Sequence, residues 1–183
     1  DTITSFAELA QALDLPIDSF DSQVGQFPLK VPRRFVQKMG KGDIHDPLLK
    51  QVLPTFQETV QVTGFVTDPL DEQHANPVKG IIHKYASRVL IPVTGACVVN
   101  CRYCFRQHFD YHENLPTQND WQAISAYITA HPAINEVILS GGDPLSLSNR
   151  RLLEIFTTLE ALPQVQTIRI HTRVPVMIPE RLD

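Results

Sequence analysis

Cysteine is scarce in this chain of 183 residues, and all three cysteines lie between positions 97 and 104. An odd, tightly clustered set is a poor disulfide framework but a good metal site in a reducing compartment, so a cytoplasmic protein is expected. Long apolar runs are also lacking. None approaches the roughly 20 residues that a membrane span requires, and no membrane partner is expected. Nor is there an excess of positive charge. Sixteen Lys and Arg face twenty Asp and Glu, a net charge of −4, which gives no reason to expect nucleic acid as a partner. The opening DTITSFAELAQAL has neither the basic segment nor the apolar core of a secretory signal. Because residue 1 is Asp and not Met, the start is expected to be missing or processed. There is no internal repeat and no low-complexity segment. What is present, 43% hydrophobic and 20% charged residues, suits one folded domain or one domain with an extension.

The first 80 residues read as helical and punctuated by proline. Ser5 and Glu8 have capping-box spacing, and Phe6, Leu9, Ala10 and Leu13 share one helical face. Pro32 is expected to open a short second helix that Gly40 ends. Asp46 and Pro47 suit the cap and first turn of a third, LLKQVL, stopped by Pro54. Residues 60–80 carry the turn signals TDP and NPVKG and read as irregular.

After Tyr85 the pattern changes. RVLIPV (88–93), EVIL (136–139) and QTIRIH (166–171) read as strands. Between them fall a helix capped by Asn119 or Asp120, with Trp121, Ile124 and Ile128 on one face, and a helix over 149–162 with Leu152, Ile155, Phe156 and Leu159 facing inward. This alternation predicts an α/β fold with a parallel sheet and right-handed crossovers. The loops that follow the strands, including SGGDP after EVIL, then share the edge where α/β folds place their chemistry.

The segment TGACVVNCRYCFRQH (94–108) has the spacing C-x3-C-x2-C. Three thiolates bind three corners of a 4Fe–4S cubane and leave the fourth iron without a protein ligand, unlike a four-cysteine electron-transfer cluster. An open iron can be chelated by the amino and carboxylate groups of S-adenosylmethionine (SAM). An electron from the cluster then breaks the S–C5′ bond and yields a deoxyadenosyl radical, chemistry that the cofactor carries. A competing reading is zinc, because His108 completes a Cys3His set with Cys97, Cys101 and Cys104. The preceding strand and Tyr103, whose ring can pack on an adenine, favour the catalytic reading; spacing alone leaves both open.

On these residues the chain resembles the radical SAM superfamily. The wider segment HKYASRVLIPVTGACVVNCRYCFR resembles the lysine 2,3-aminomutase family. The stretch FPLKVPRRFVQKMGKGDIHDPLLKQVLPT is most similar to the member type that makes (R)-β-lysine for elongation factor P. The resemblance implies an isomerase with a 4Fe–4S cluster, SAM and pyridoxal 5′-phosphate (PLP) as cofactors. Its substrate would be L-lysine, whose α-amino group migrates to the β-carbon. It implies a helical extension over 1–84 and the first half of a radical SAM barrel over 85–183. By the same resemblance Cys97, Cys101 and Cys104 match the cluster ligands, and Tyr103 the aromatic beside the adenine. Ser140, Gly141, Gly142 and Asp143 match the loop that receives the methionine end of SAM. Tyr85 and Arg88 match PLP contacts, and Arg106 the arginine that pairs with the substrate carboxylate. Elongation factor P, its lysyl ligase, an electron donor such as flavodoxin and a homo-oligomer are the implied partners.

The sequence also departs from the family pattern. Three strands do not close a barrel, so a fragment is expected, inactive by itself. The family's PLP lysine lies beyond position 183, and neither Lys79 nor Lys84 matches it. No catalytic residue is therefore expected within the chain. Gln107 stands where an arginine is expected after Arg106. His83, His171 and Arg173 lie near strand ends without an assigned role. Without its metal, the cysteine loop is expected to be mobile.

Overall fold

A computed structural model describes residues 1–20 and 27–182. The chain divides into two compact units. One holds Asp1–Thr67, Val98–Gln107 and Val174–Asp183; the other holds Asp68–Cys97 and His108–Arg173.

The first unit opens with β1 (Thr2–Ile3), α1 (Phe6–Leu13), β2 (Val31–Pro32) and α2 (Arg33–Val36), with β1 and β2 antiparallel. The apolar stripe expected for α1 is the one that packs: Leu9, Ala10 and Leu13 are buried beside Phe35, Val36 and Leu49. The expected capping box does not form. Ser5 holds the N-cap position without a side-chain bond, and Glu8 pairs with Arg33 instead. Pro32 does precede α2, which is a single turn. Asp46 lies two residues before the N-cap, which is Leu48, and its carboxylate accepts from the backbone N–H of Leu48 (2.8 Å), Leu49 (2.9 Å) and Gly40 (3.0 Å). The helix that follows is only the 3-10 turn Leu49–Gln51. Pro47 and Pro54 bracket too short a stretch to offset the cost of helix nucleation.

Asp46 links this unit to pH. Burial pushes its carboxyl pKa up, but the backbone N–H groups of Gly40, Leu49 and Leu48 together outweigh burial and hold it below the ordinary carboxylate value. A carboxyl depressed on folding stabilises the fold above its unfolded pKa. That stabilisation is lost as pH falls through the lower, folded value. Stability measured by urea denaturation should therefore decline below about pH 4 with a contribution that Asp46→Asn abolishes. An unchanged pH slope in the variant contradicts this.

The second unit is built on a sheet of order β3-β4-β5-β6: β3 (Ile82–Tyr85), β4 (Arg88–Thr94), β5 (Glu136–Gly141) and β6 (Thr167–Ile170). β4, β5 and β6 are parallel, as the three apolar runs predict. β3 is an addition. It pairs antiparallel with β4 through a tight hairpin that sets Tyr85 opposite Arg88. Its run IHKY buries only Ile82 fully, so it carries no alternation by which to be read as a strand. Three helices follow in this unit: the single turn α3 (Tyr111–Asn114), α4 (Asp120–Ala130) and α5 (Asn149–Glu160). Trp121, Ile124 and Ile128 of α4 and Ile155 and Leu159 of α5 pack with Val89, Ile91, Val137 and Leu139 of the sheet. Leu152 is buried as well, and Phe156 is half-buried. β5 is buried along its whole length, as a central parallel strand covered on both faces should be. Asn119 sits at the N-cap of α4 but makes no side-chain capping bond; the Asp120 carboxylate instead reaches back to the N–H and hydroxyl of Thr117, each at 2.7 Å.

The chain then returns to the first unit through α6 (Val174–Met177), whose Met177 is buried in that unit's core. No helix among the described residues is long and apolar enough to cross a membrane.

Candidate functional site

In the sheet unit, the carboxyl ends of β4, β5 and β6 are tied into one edge. The Gly142 N–H donates to Thr94 O (2.6 Å), and the Asp143 N–H donates to Ala96 O (2.8 Å). The loop after β5 thereby lies directly on the segment that leads into Cys97. Gly141 has φ +112°, a conformation that side chains rarely adopt. A Cβ at Gly142 would fall 2.4 Å from Ala96 O. The glycine pair is thus required by backbone-on-backbone contact. Asp143 is buried, and its carboxylate gathers three donors: Leu145 N–H (3.0 Å), the Thr172 hydroxyl (2.6 Å) and Arg173 N–H (2.6 Å). The last two come from the loop after β6. One carboxylate therefore joins two strand ends, and the adjacent peptide joins the third. Sequence reasoning missed Thr172. A hydroxyl two residues past a predicted strand carries no signal of its own.

The rest of the motif belongs to the first unit. Val99 is buried in that unit's core, and Cys101 packs against the same cluster. The Asn100 N–H donates to Lys30 O, and the Arg102 N–H to Gln51 O. The Cys104 N–H donates to Cys101 O at 3.1 Å, closing a turn between those two cysteines. The loop therefore has protein anchors of its own. Cys97, Cys101 and Cys104 are each half-buried, and no disulfide joins them. Among the described residues no three His, Cys, Asp or Glu side chains are gathered at metal-holding spacing. Tyr103 exposes 58% of its surface, whereas Arg106 is buried with its guanidinium 4.7 Å above the Phe105 ring.

Tyr85 and Arg88 lie elsewhere in the sheet unit. Arg88 starts β4, whereas Gly141 pairs with Thr94 at its other end. At about 3.3 Å per residue, the two ends of this strand are about 20 Å apart. Arg88 faces the buried Glu136 carboxylate at 3.5 Å, and Arg169 of β6 approaches the same group at 2.7 Å. Tyr85 is exposed.

Residues 91–183, which contain this strand edge and the whole cysteine motif, match the radical SAM superfamily. The chain is 48% identical over 177 residues to the L-lysine 2,3-aminomutase of Haemophilus influenzae, covering 95% of this chain and 52% of that protein. It is 50% identical over 156 residues to that of Escherichia coli, covering 85% and 45%, and 35% identical over 150 residues to that of Clostridium subterminale, covering 81% and 36%. This chain belongs to the radical SAM superfamily. It spans about half the length of the curated relatives it matches.

The residues present fit the cluster and the SAM that a radical SAM protein implies. Three soft sulfur donors at C-x3-C-x2-C spacing suit iron–sulfur chemistry. For PLP, whose phosphate needs a cation, the chain offers Arg88, which faces the Glu136 carboxylate at 3.5 Å but leaves its Nε without a hydrogen-bond partner.

Proposed function

We propose that this chain forms the cofactor-binding part of an aminomutase that converts L-lysine to (R)-β-lysine for attachment to elongation factor P. The observation that carries the reading is the C-x3-C-x2-C motif, whose first cysteine follows the carboxyl end of the first parallel strand, in a chain 48% identical over 177 residues to a lysine 2,3-aminomutase. When bound, the cluster supplies a low-potential electron, SAM a hydrogen-abstracting radical, and PLP a conjugated ring that spreads unpaired spin. In this reading Cys97, Cys101 and Cys104 hold the cluster and leave one iron open to SAM. Tyr103 offers an exposed ring to the adenine. Ser140, Gly141, Gly142 and Asp143 shape the resting place of the methionine end, and the Asp143 carboxylate keeps that loop in place. Arg106 pairs with the lysine carboxylate through its planar fork. Tyr85 and Arg88 as PLP contacts rest on the resemblance alone, and no step is assigned to them. The lysyl ligase that acts on elongation factor P, a flavodoxin-type electron donor, a homo-oligomer and a cytoplasmic setting complete the proposal.

The test is product analysis. Full-length protein carrying this sequence, reconstituted anaerobically, should form (R)-β-lysine from L-lysine, SAM, PLP and a reductant. A loaded cluster whose electron paramagnetic resonance spectrum responds to SAM, but which yields no β-lysine, overturns lysine as substrate. The S enantiomer as product overturns the elongation factor P assignment.

A further inference from the structure

We propose that Arg102 and Glu58 form a positioning brace that holds the Cys101–Cys104 turn against the N-terminal extension. The inference concerns the cluster site and rests on the reading above only for its purpose. Arg102 lies between the two cysteines. Its Nε donates to Glu58 Oε1 at 2.7 Å, its Nη2 donates to Glu58 Oε2, and its Nη1 donates to Phe27 O at 2.9 Å. The guanidinium also sits 5.1 Å above the Phe27 ring. Its side chain is 8% exposed and that of Glu58 is 21% exposed.

Glu58 is itself held in place. It closes a capping box with Thr55 at the start of the 3-10 turn Phe56–Thr59. Sequence reasoning singled out neither the T-x-x-E pattern at 55–58 nor its partner. On the other side of Cys101, the Asn100 side chain donates to Pro28 O at 2.9 Å, and its N–H donates to Lys30 O at 2.9 Å. Both neighbours of Cys101 are therefore anchored on the extension. Neither uses a sulfur atom.

An ion pair this shielded gains little net stability, because desolvating two charges offsets their attraction. What it does supply is direction. A bidentate guanidinium–carboxylate pair fixes both the plane and the distance of its partners. Lysine keeps the charge but not the fork. The brace consequently predicts a local effect on two thiols, separable from the stability of the whole chain.

The test is alkylation of the full-length apoprotein with iodoacetamide, each cysteine followed by peptide mass spectrometry. In Glu58→Gln and Arg102→Lys, Cys101 and Cys104 should react about fivefold faster or more as the turn opens, while Cys97 stays within about twofold. Chelator-driven loss of the reconstituted cluster should accelerate in the same variants. Unchanged rates at Cys101 and Cys104 overturn the brace. So does equal acceleration at all three cysteines, which reports general loosening. A wild-type protein that takes up no iron and sulfide overturns the cluster reading instead, and the labelling result still decides the brace.

Discussion

Full-length protein carrying Cys101→Ser, reconstituted with iron and sulfide, is expected to retain less than about a tenth of the wild-type cluster. Serine keeps the shape but replaces a soft, readily ionised sulfur with a hard alcohol that stays protonated at neutral pH. Cys97→Ser and Cys104→Ser should behave alike, because a set of three donors has no spare. The informative control is His108→Ala. His108 is exposed and is the fourth ligand of the zinc alternative. The iron–sulfur reading expects this variant to keep its iron and acid-labile sulfide; the zinc reading expects it to lose metal. Metal and sulfide analysis decides between them. A colourless wild-type protein with zinc and no sulfide would falsify the radical mechanism.

The second large effect is expected at Gly142. A methyl group there would stand 2.4 Å from Ala96 O, 2.7 Å from the Gly95 carbonyl carbon and 2.8 Å from that of Ala96. These are backbone atoms of the segment entering Cys97, and no side chain can swing aside. The two loops must separate, which breaks the bonds from Gly142 N–H to Thr94 O and from Asp143 N–H to Ala96 O. Gly142→Ala should cost about 3 kcal/mol, the upper end of overpacking penalties, and lower Tm by about 6–12 °C. Gly40→Ala is the matched control. Its nearest neighbour would be an Asp46 carboxylate oxygen at 3.5 Å, an ordinary contact, so its Tm should stay within about 2 °C. Equal Tm values for the two variants would show that the close approach of the loops is not required.

Legibility followed how locally each feature is encoded. The stripe Trp121, Ile124, Ile128 and the runs at 88–93 and 136–139 could be read because helix and strand periods are properties of a few consecutive residues. β3 could not, because IHKY has one fully buried position and takes its partner from the next strand. Ser5 and Glu8 show the converse. Their spacing was right for a capping box, yet Arg33, 25 residues after Glu8, took the carboxylate. In the motif, the chemical identity of Cys97, Cys101 and Cys104 was visible at once. The anchoring of Arg102 on Glu58, 44 positions away, was not.

Sequence alone determined the chemistry on offer: three thiols at C-x3-C-x2-C spacing after an apolar strand, two adjacent glycines after the next one, and the periodicities of a parallel α/β sheet. Residue type and short-range spacing are sufficient for these. Tertiary structure alone decided what holds that chemistry in place: Asp143 joining strand ends, Gly142 admitting a neighbouring backbone, and Arg102 seated on the extension. Such contacts join residues far apart in the chain. Their energy depends on distances and burial that exist only once the chain has folded.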